Sequence, residues 1–436
     1  MKIALTSLGC DKNRVDSENM IGFLTEGGMD IVDDYADAQV VIINSCAFLQ
    51  SAISEAIDAV LEANSYPNVD KIILTGCLPQ RYMDEISGEE GLTEVSAFVG
   101  NQHYHKICEI LSRVVQGERV ILPNGNGEIL TSLRRPLSTP LHYGYLKIAE
   151  GCNNKCTYCA IPAIRGPYQS VDIDEVVAEA KRLQTSYGTE EFILVAQDVT
   201  RYGSDKNEYQ LMTLLDRLTK LDIYKIRLMY MYPELVTDTM IDRIASDEKI
   251  ASYIDMPMQH SDSSVLKRMN RRGTGEDLMR IMDKIRTTDI SVRSTFMVGF
   301  PGETDAQFEN LLDFLKKYKI ENAGFFAFSR EEGTPAYKMK EQISQKVKKE
   351  RLLAAERLQS KIMTDALDTQ VGKTQLVTYD GIDYDKNLFF GHTEFNHPEI
   401  DKKVYFTASE GVNIGQRYNI KIQKRKKLDL IGKLES

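Results

Sequence analysis

Three cysteines stand in the string EGCNNKCTYC as Cys152, Cys156 and Cys159, spaced Cys-x3-Cys-x2-Cys directly after YLKIAE, an apolar run that reads as a strand. Thiolates this close on one loop suit a cubane iron-sulfur cluster, one sulfur to each of three irons. The fourth iron is then free to take the amino and carboxylate groups of a cofactor. A structural zinc site would ask for four ligands, and no fourth cysteine or histidine lies in the loop. Three further cysteines share no compact motif: Cys10 follows KIALTSL, Cys46 follows QVVIINS and Cys77 follows KIILTG. Each falls just past the C-terminal end of an expected parallel strand, on the sheet edge where open α/β folds bind ligands. Singly, each reads as a small buried hydrophobe. Together, at one topological position, they predict a second cluster. Cys108 sits in HKICEILSRVV, an amphipathic pattern that makes it a packing residue.

The elements that must hold these thiols fall into an α/β chain. Over residues 1–130, strand-like runs alternate with helical stretches, which predicts an open parallel sheet. A stretch with Arg134, Arg135, Pro136 and Pro140 breaks the pattern, so 131–141 is expected to be a linker. Over 142–371 six runs recur at βα spacing: YGYLKIA, EFILVAQ, KIRLMYMY, SYIDMP, RSTFMVGF and AGFFAFS. They predict a partial (β/α)6 barrel, left open because a charged helical stretch, QKVKKERLLAAERLQSKIMTDALD, follows where further strands would close it. Over 372–436 short alternating runs broken by Gly, Asn and Asp predict a small antiparallel β-barrel.

Composition narrows the function classes. A chain of 436 residues with 42% hydrophobic content is globular and multidomain. The apolar part of MKIALTSLGC is too short for a secretory signal, and no run of about 18 apolar residues occurs, so the expectation is a cytoplasmic protein with no membrane partner. Seven cysteines in a reducing compartment are not a disulfide framework. The net charge of −10 speaks against a surface that grips nucleic acid everywhere. The run KRKK at 424–427 reads as a solvated strand or hairpin end. Asp380, Asp383, Asp385, Glu394, Glu399 and Asp401 nearly offset the basic residues of that domain, which favours a protein epitope over bare RNA.

Several long strings carry a family likeness. EGCNNKCTYCAIPAIRG, with Tyr158 before the third cysteine, SLGCDKNRVDSE, NSCAF and GCLPQRY resemble the cluster-binding segments of the radical S-adenosylmethionine (SAM) methylthiotransferases. The likeness spans essentially the whole chain and gives the C-terminal barrel the look of a TRAM domain. It implies two 4Fe-4S clusters, SAM as methyl donor and radical source, and insertion of a methylthio group at an unactivated carbon. In that scheme the Cys152–Cys156–Cys159 cluster reduces SAM to a 5′-deoxyadenosyl radical that takes hydrogen from the substrate. The Cys10–Cys46–Cys77 cluster presents the methylthio sulfur, and no acid-base side chain is catalytic. The resemblance also makes Tyr158, Gln197, Asp198, Gly299, Pro301, Gly302 and Glu303 the expected SAM contacts. On its own, GFPGE is a tight turn before a helix. His260, in MQHSDSS, is a weaker candidate for orienting a ligand.

LVAQDVTRYG, YIDMPMQHSDSSVLKRMNRRGT, MVGFPGET and FSREEGTPA resemble the branch that modifies the β-carbon of an aspartate in small-subunit ribosomal protein uS12. The tRNA adenosine branch typically carries Gln-Ser-Gly where this chain has MQHSDSS, and Arg-Pro-Gly-Thr where it has Glu331, Glu332, Gly333 and Thr334. Asp11 and Ser45 depart from commoner residues without supplying ligands. The partners implied are uS12 or the small ribosomal subunit, and an electron donor such as flavodoxin or ferredoxin. A tRNA-modifying enzyme and a non-catalytic electron-transfer or RNA-binding protein are the alternatives. An electron carrier normally fills all four iron positions with protein ligands, which the open three-cysteine loop does not.

Overall fold

The computed structural model describes residues 1–123, 129–408 and 411–435. The stretch 124–128, near the end of the expected N-terminal unit, lies outside the described residues. The first sheet is wholly parallel, with β1 (Lys2–Ser7), β2 (Asp30–Val32), β3 (Val40–Ser45), β4 (Lys71–Gly76), β5 (Ala97–Gly100) and β6 (Val120–Leu122) in the order β2-β1-β3-β4-β5-β6. All six residues of β3 are buried, as expected of a strand covered on both faces. Val41 and Ile43 pack with Ile53, Ala56 and Val60 of α2 (Gln50–Asn64). Val40 and Ile42 face the other way, onto Met20 and Leu24 of α1 (Asp11–Glu26) and Ile107, Ile110 and Leu111 of α4 (Ile107–Val115). Between them in sequence lies α3 (Cys77–Ser87).

The second sheet runs β7 (Tyr143–Lys147), β10 (Glu191–Val195), β11 (Lys225–Leu228), β12 (Ile250–Asp255), β13 (Ser291–Val298) and β14 (Asn322–Ala327), each parallel to its neighbour, with β7 and β14 as free edges. Strand alternation sorts its side chains: Phe192 and Leu194 face the helices, whereas Ile193 and Val195 face the lumen with Tyr143, Tyr145, Met229 and Tyr253. A two-strand ribbon, β8 (Ala149–Glu150) with β9 (Gln169–Ser170), closes the cysteine loop and α5 (Ile161–Arg165) at its neck. The charged stretch after the barrel forms a single helix, Gln345–Asp368, in place of further strands.

The last five strands, β15 (Thr374–Asp383), β16 (Leu388–His392), β17 (Val404–Thr407), β18 (Arg417–Lys426) and β19 (Asp429–Leu434), form a closed barrel in the order β15-β16-β17-β19-β18. The closure is antiparallel except for β17 with β19. KRKK ends β18 at a hairpin.

The open barrel's lumen is filled from both neighbours. Val15 of α1 joins the lumen cluster. From the other side, the loop after β16 sends Glu399 to the hydroxyls of Tyr143 (3.0 Å) and Tyr145 (2.8 Å), and Asp401 to Tyr253 (2.7 Å) and Arg293 (2.7 Å). Arg14 of α1 reaches Glu399 at 2.6 Å, so all three units meet at one carboxylate. Two acids counted in the sequence as surface charge are thus turned inward, and Asp380 is buried as well. With Lys421, Lys424, Lys426, Lys427 and Lys433 exposed, the terminal barrel's exterior is basic, which corrects the near-neutral expectation. Lys421 stands directly opposite Lys433 across β18 and β19, a like-charge pairing that costs stability. No helix among the described residues is long and apolar enough to cross a membrane.

Candidate functional site

Cys10, Cys46 and Cys77 follow β1, β3 and β4, three strands adjacent in one sheet, and their thiols lie close enough to act on one another electrostatically. Cys10 caps α1 and Cys77 opens α3, so two of them sit at helix N-termini; burial nevertheless pushes the free Cys77 thiol up to about 11, with Arg165 opposing the rise. Glycine makes the turns. Gly9 (φ 101°) and Gly76 (φ 96°) are left-handed, and a Cβ at Gly76 would lie 2.5 Å from the Ser45 carbonyl oxygen.

Asn13 ties the three loops together. Its amide donates to the carbonyls of Leu8 (2.9 Å) and Ser45 (3.0 Å), one before Gly9 and one before Cys46, and its oxygen lies 3.8 Å from Cys77 Sγ. Ser45 Oγ donates to Thr75 O at 2.6 Å and accepts from Leu78 N at 3.3 Å, binding the Cys46 loop to the Cys77 loop. Asp11 accepts from Tyr230 Oη at 2.8 Å, so neither departure from the family strings is idle.

The barrel triad is held by its own loop and its surroundings. Gly151 (φ 79°) precedes Cys152, and a Cβ there would meet Pro167 O at 2.1 Å. Cys152 N donates to Gly166 O (3.1 Å), Cys159 N to Cys156 O (3.1 Å), and Thr157 N to Met269 O (3.0 Å). Asn270 Nδ2 donates to Lys155 O at 2.6 Å. Burial pushes the free Cys159 thiol up to about 12 and Cys152 to about 11. Each must therefore lose its proton to a metal to become a ligand. Buried Arg271 opposes that rise at Cys159 and lies 3.8 Å over the Tyr232 ring, while Tyr232 Oη is 3.6 Å from Cys156 Sγ.

Between the triads lies a buried polar knot. Lys147 pairs with Asp16 and with Glu150 (3.0 Å); Arg165 pairs with Asp16 (2.8 Å) and Glu150 (3.0 Å), and also donates to Asn13 and to Cys77 Sγ (3.4 Å). Burial alone would raise Glu150, yet Arg165 and Lys147 hold it down at about 2. Arg135, within the stretch expected to link the domains, is equally buried and joins Glu18 (2.8 Å) to Glu179 (2.8 Å).

The expected SAM contacts divide by what already occupies them. Gln197 donates to Glu150 Oε1 at 2.7 Å, while its own buried Oε1 has no partner. Gln259, with a left-handed backbone (φ 70°), likewise has an unpartnered buried Oε1. Asp198 is spent on the cysteine loop, accepting from Asn154 (2.9 Å) and pairing with Arg201 (3.1 Å). Tyr158 meets the GFPGE turn edge-on at Phe300, 6.5 Å between ring centres. In that turn Arg268 donates to Pro301 O (3.2 Å) and Gly302 O (3.1 Å), and Glu303 accepts from Gly299 N (2.8 Å) and Arg351 (2.8 Å). Glu303 therefore shapes the turn with its carboxylate. His260 accepts from Asp262 N at 2.9 Å, and burial lowers its pKa to about 4, so the ring is neutral with Nε2–H unpartnered.

Asn13, Arg165, Tyr230 and Gln259 were not singled out by sequence. Positive φ marks Tyr230, Gln259 and Asn270; Tyr230 bonds Asp11 next to Cys10 and Asn270 holds the cysteine loop at Lys155, and such strain concentrates at functional sites.

Six sulfurs in two groups of three, glycine turns that aim them and the unpartnered Oε1 of Gln197 beside the polar knot suit iron-sulfur clusters and a polar cofactor. Among the described residues, one group of three metal-ligand atoms lies within 4.8 Å of one another, and it contains no cysteine: His142, Asp380 and His392. These atoms already hydrogen-bond, with 2.8 Å from Asp380 to each histidine and 2.9 Å from His392 to Glu191. The trio is a clasp between the two barrels.

Comparison with known proteins agrees with this organisation. Residues 2–100 match the family model "Uncharacterized protein family UPF0004", 146–315 match "Radical SAM superfamily" and 371–434 match "TRAM domain". The protein "Ribosomal protein uS12 methylthiotransferase RimO" of Acetivibrio thermocellus is 39% identical, covering 99% of this chain and 98% of its own. That of Clostridium botulinum is 40% identical over 100% of this chain and 98% of its own. This chain belongs to the radical-SAM methylthiotransferase family. Membership brings SAM and iron-sulfur chemistry with it, and the chain is a transferase. Among solved structures, the methyltransferase TsrM from Kitasatospora setae shares the fold at TM-score 0.50 and 14% identity, covering 77% of this chain and 73% of its own. The cobalamin-dependent SAM radical enzyme OxsB does so at 0.52 and 10%, covering 83% of this methylthiotransferase, which in turn spans 56% of OxsB.

Proposed function

We propose that this methylthiotransferase replaces a hydrogen on the β-carbon of an aspartate in small-subunit ribosomal protein uS12 with a methylthio group. The observation that carries the reading is the meeting of two cysteine triads from two domains at α5, which touches Cys159 at one end and Cys77 at the other, in a chain aligned end to end with uS12 methylthiotransferases. When bound, two 4Fe-4S clusters and SAM supply the one-electron and sulfur chemistry that side chains lack. Cys152, Cys156 and Cys159 would hold one cluster, and Cys10, Cys46 and Cys77 the other. Gln197 offers its free Oε1 as acceptor to the SAM ammonium, and Tyr158 lies against the turn containing Gly299, Pro301, Gly302 and Glu303. Asp198 acts by fixing Asn154 in the cysteine loop. The apolar lumen around Val15, Ile193 and Met229 excludes water from the site's floor. A flavodoxin or ferredoxin would deliver electrons. The working units are 1–130, 142–371 and 372–436, with 131–141 between the first two.

The terminal barrel's exposed lysines favour docking beside ribosomal RNA, so modification should weaken as salt rises. The same lysines give the tRNA reading its one support. Incubating reconstituted enzyme, reductant and SAM with small subunits, and separately with tRNA, distinguishes the two. The expected result is one uS12 peptide heavier by the exchange of H for SCH3, and unmodified tRNA. Methylthioadenosine with untouched uS12 would replace this reading by the second.

A further inference from the structure

The five-residue helix α5 touches a sulfur of each triad. At its start, Ile161 N lies 3.4 Å from Cys159 Sγ; at its end, the Arg165 side chain lies 3.4 Å from Cys77 Sγ. Arg165 belongs to the radical-SAM domain and Cys77 to the N-terminal domain, so the contact exists only while the two are docked.

The guanidinium is divided by function. Its Nη1 is bound by Asp16 and Glu150, which compensate the buried charge. Its Nη2 faces Asn13 and Cys77 instead. A residue serving only as an interdomain ion pair would need the first half alone. Arg135 is such a residue: equally buried and equally interdomain, it bonds Glu18, Glu179 and the Tyr145 carbonyl, and none of its bonds reaches a cysteine. Asn13, held by Arg165, is also the amide that fastens the Cys10 and Cys46 loops. One side chain from the neighbouring domain thus bears on all three loops of the triad.

We propose that Arg165 is a positioning residue of the N-terminal cluster, supplied across the domain boundary, which fixes the Cys77 ligand and raises that cluster's reduction potential. The inference rests on the reading that Cys10, Cys46 and Cys77 hold a cluster. A nearby cation and an N–H···S hydrogen bond stabilise the reduced, more negative state of a cluster, so their loss lowers its potential.

The test is a redox titration of the reconstituted full-length protein followed by electron paramagnetic resonance. The signal that SAM perturbs belongs to the barrel cluster, and the other to the N-terminal one. Arg165→Gln should shift the midpoint of the second signal downward and leave the first in place, Arg165→Lys should fall between, and Arg135→Gln should move neither. An unshifted second signal in Arg165→Gln at full iron content overturns the proposal, as does an equal shift in Arg135→Gln. If Arg165→Gln does not retain its clusters, Arg165→Lys decides: a lowered second midpoint supports the proposal and a wild-type one overturns it. Wild-type protein with one signal and about four irons would instead remove the two-cluster reading, and the proposal with it.

Discussion

The two cysteine triads solve one problem in opposite ways. The barrel triad is contiguous, eight residues from Cys152 to Cys159, closed at its neck by the β8–β9 ribbon and buttressed from the Met269–Asn270 turn. The N-terminal triad gathers loops 36 and 31 residues apart in sequence, and among the described residues only Asn13 bonds groups from all three. A contiguous site survives loosening of its surroundings. A convergent one depends on the sheet register, on one amide and on a guanidinium from the next domain.

The largest expected effect separates the triads outright. Replacing Cys152, Cys156 and Cys159 with alanine should halve the bound iron and abolish reductive SAM cleavage, whereas the same change at Cys10, Cys46 and Cys77 should halve the iron and leave cleavage measurable. Full iron in the second variant would contradict the convergence. Next comes Asn13→Ala, which strips the donor from two carbonyls and should cost roughly 2 to 4 kcal/mol. Iron should be lost from the N-terminal cluster alone. Asn270→Ala, the matching change at the barrel loop, should cost about 1 kcal/mol and retain all iron by colorimetric assay.

A pH effect should appear at the clasp between the barrels. Burial opposes protonation of His392, but Asp380 and Glu191 outweigh it and lift its pKa from 6.5 to about 9. The contribution is complete below the unfolded value and lost as pH rises through the folded one. Thermal melts should therefore fall in Tm across that alkaline step, and His392→Gln should flatten the fall. The smallest effect is at Cys108, whose Sγ donates to Phe23 O at 3.2 Å. Cys108→Ala should cost about 1 kcal/mol, with iron unchanged.

The barrel strands were legible because apolar-rich runs recur at βα spacing, even where Lys225, Arg227 or Arg293 interrupts them, and the spacing of Cys152, Cys156 and Cys159 is a motif in itself. The second triad was legible only through topology, from strand ends. Strands β2 and β6, three residues each, carry too little pattern to be seen, and β19 hides behind the charged turn after KRKK. Asn13 and Arg165 look like solvated polar residues in the sequence, since nothing local shows that another domain will bury them. The same blindness misplaced Asp380, Glu399 and Asp401: a charge count cannot tell a surface carboxylate from one clasped between histidines, as Asp380 is, or aimed at tyrosine hydroxyls in a barrel, as the other two are.

The carboxylate that seals the lumen has a consequence for how the chain comes to be folded. Glu399 meets Tyr143 across 256 residues of sequence, and such distant pairings make folding slow because a long loop must close before the contact rewards it. During synthesis, which folds domains from the N-terminus onward, the lumen lacks its seal, buried Arg227 lacks the Thr393 and Glu394 carbonyls and Arg293 lacks the Asp401 carboxylate until residues 393–401 emerge. Nascent chains therefore pass through a long interval with a half-built interior. Chaperone occupancy and protease sensitivity should peak in that interval and fall once the loop is seated.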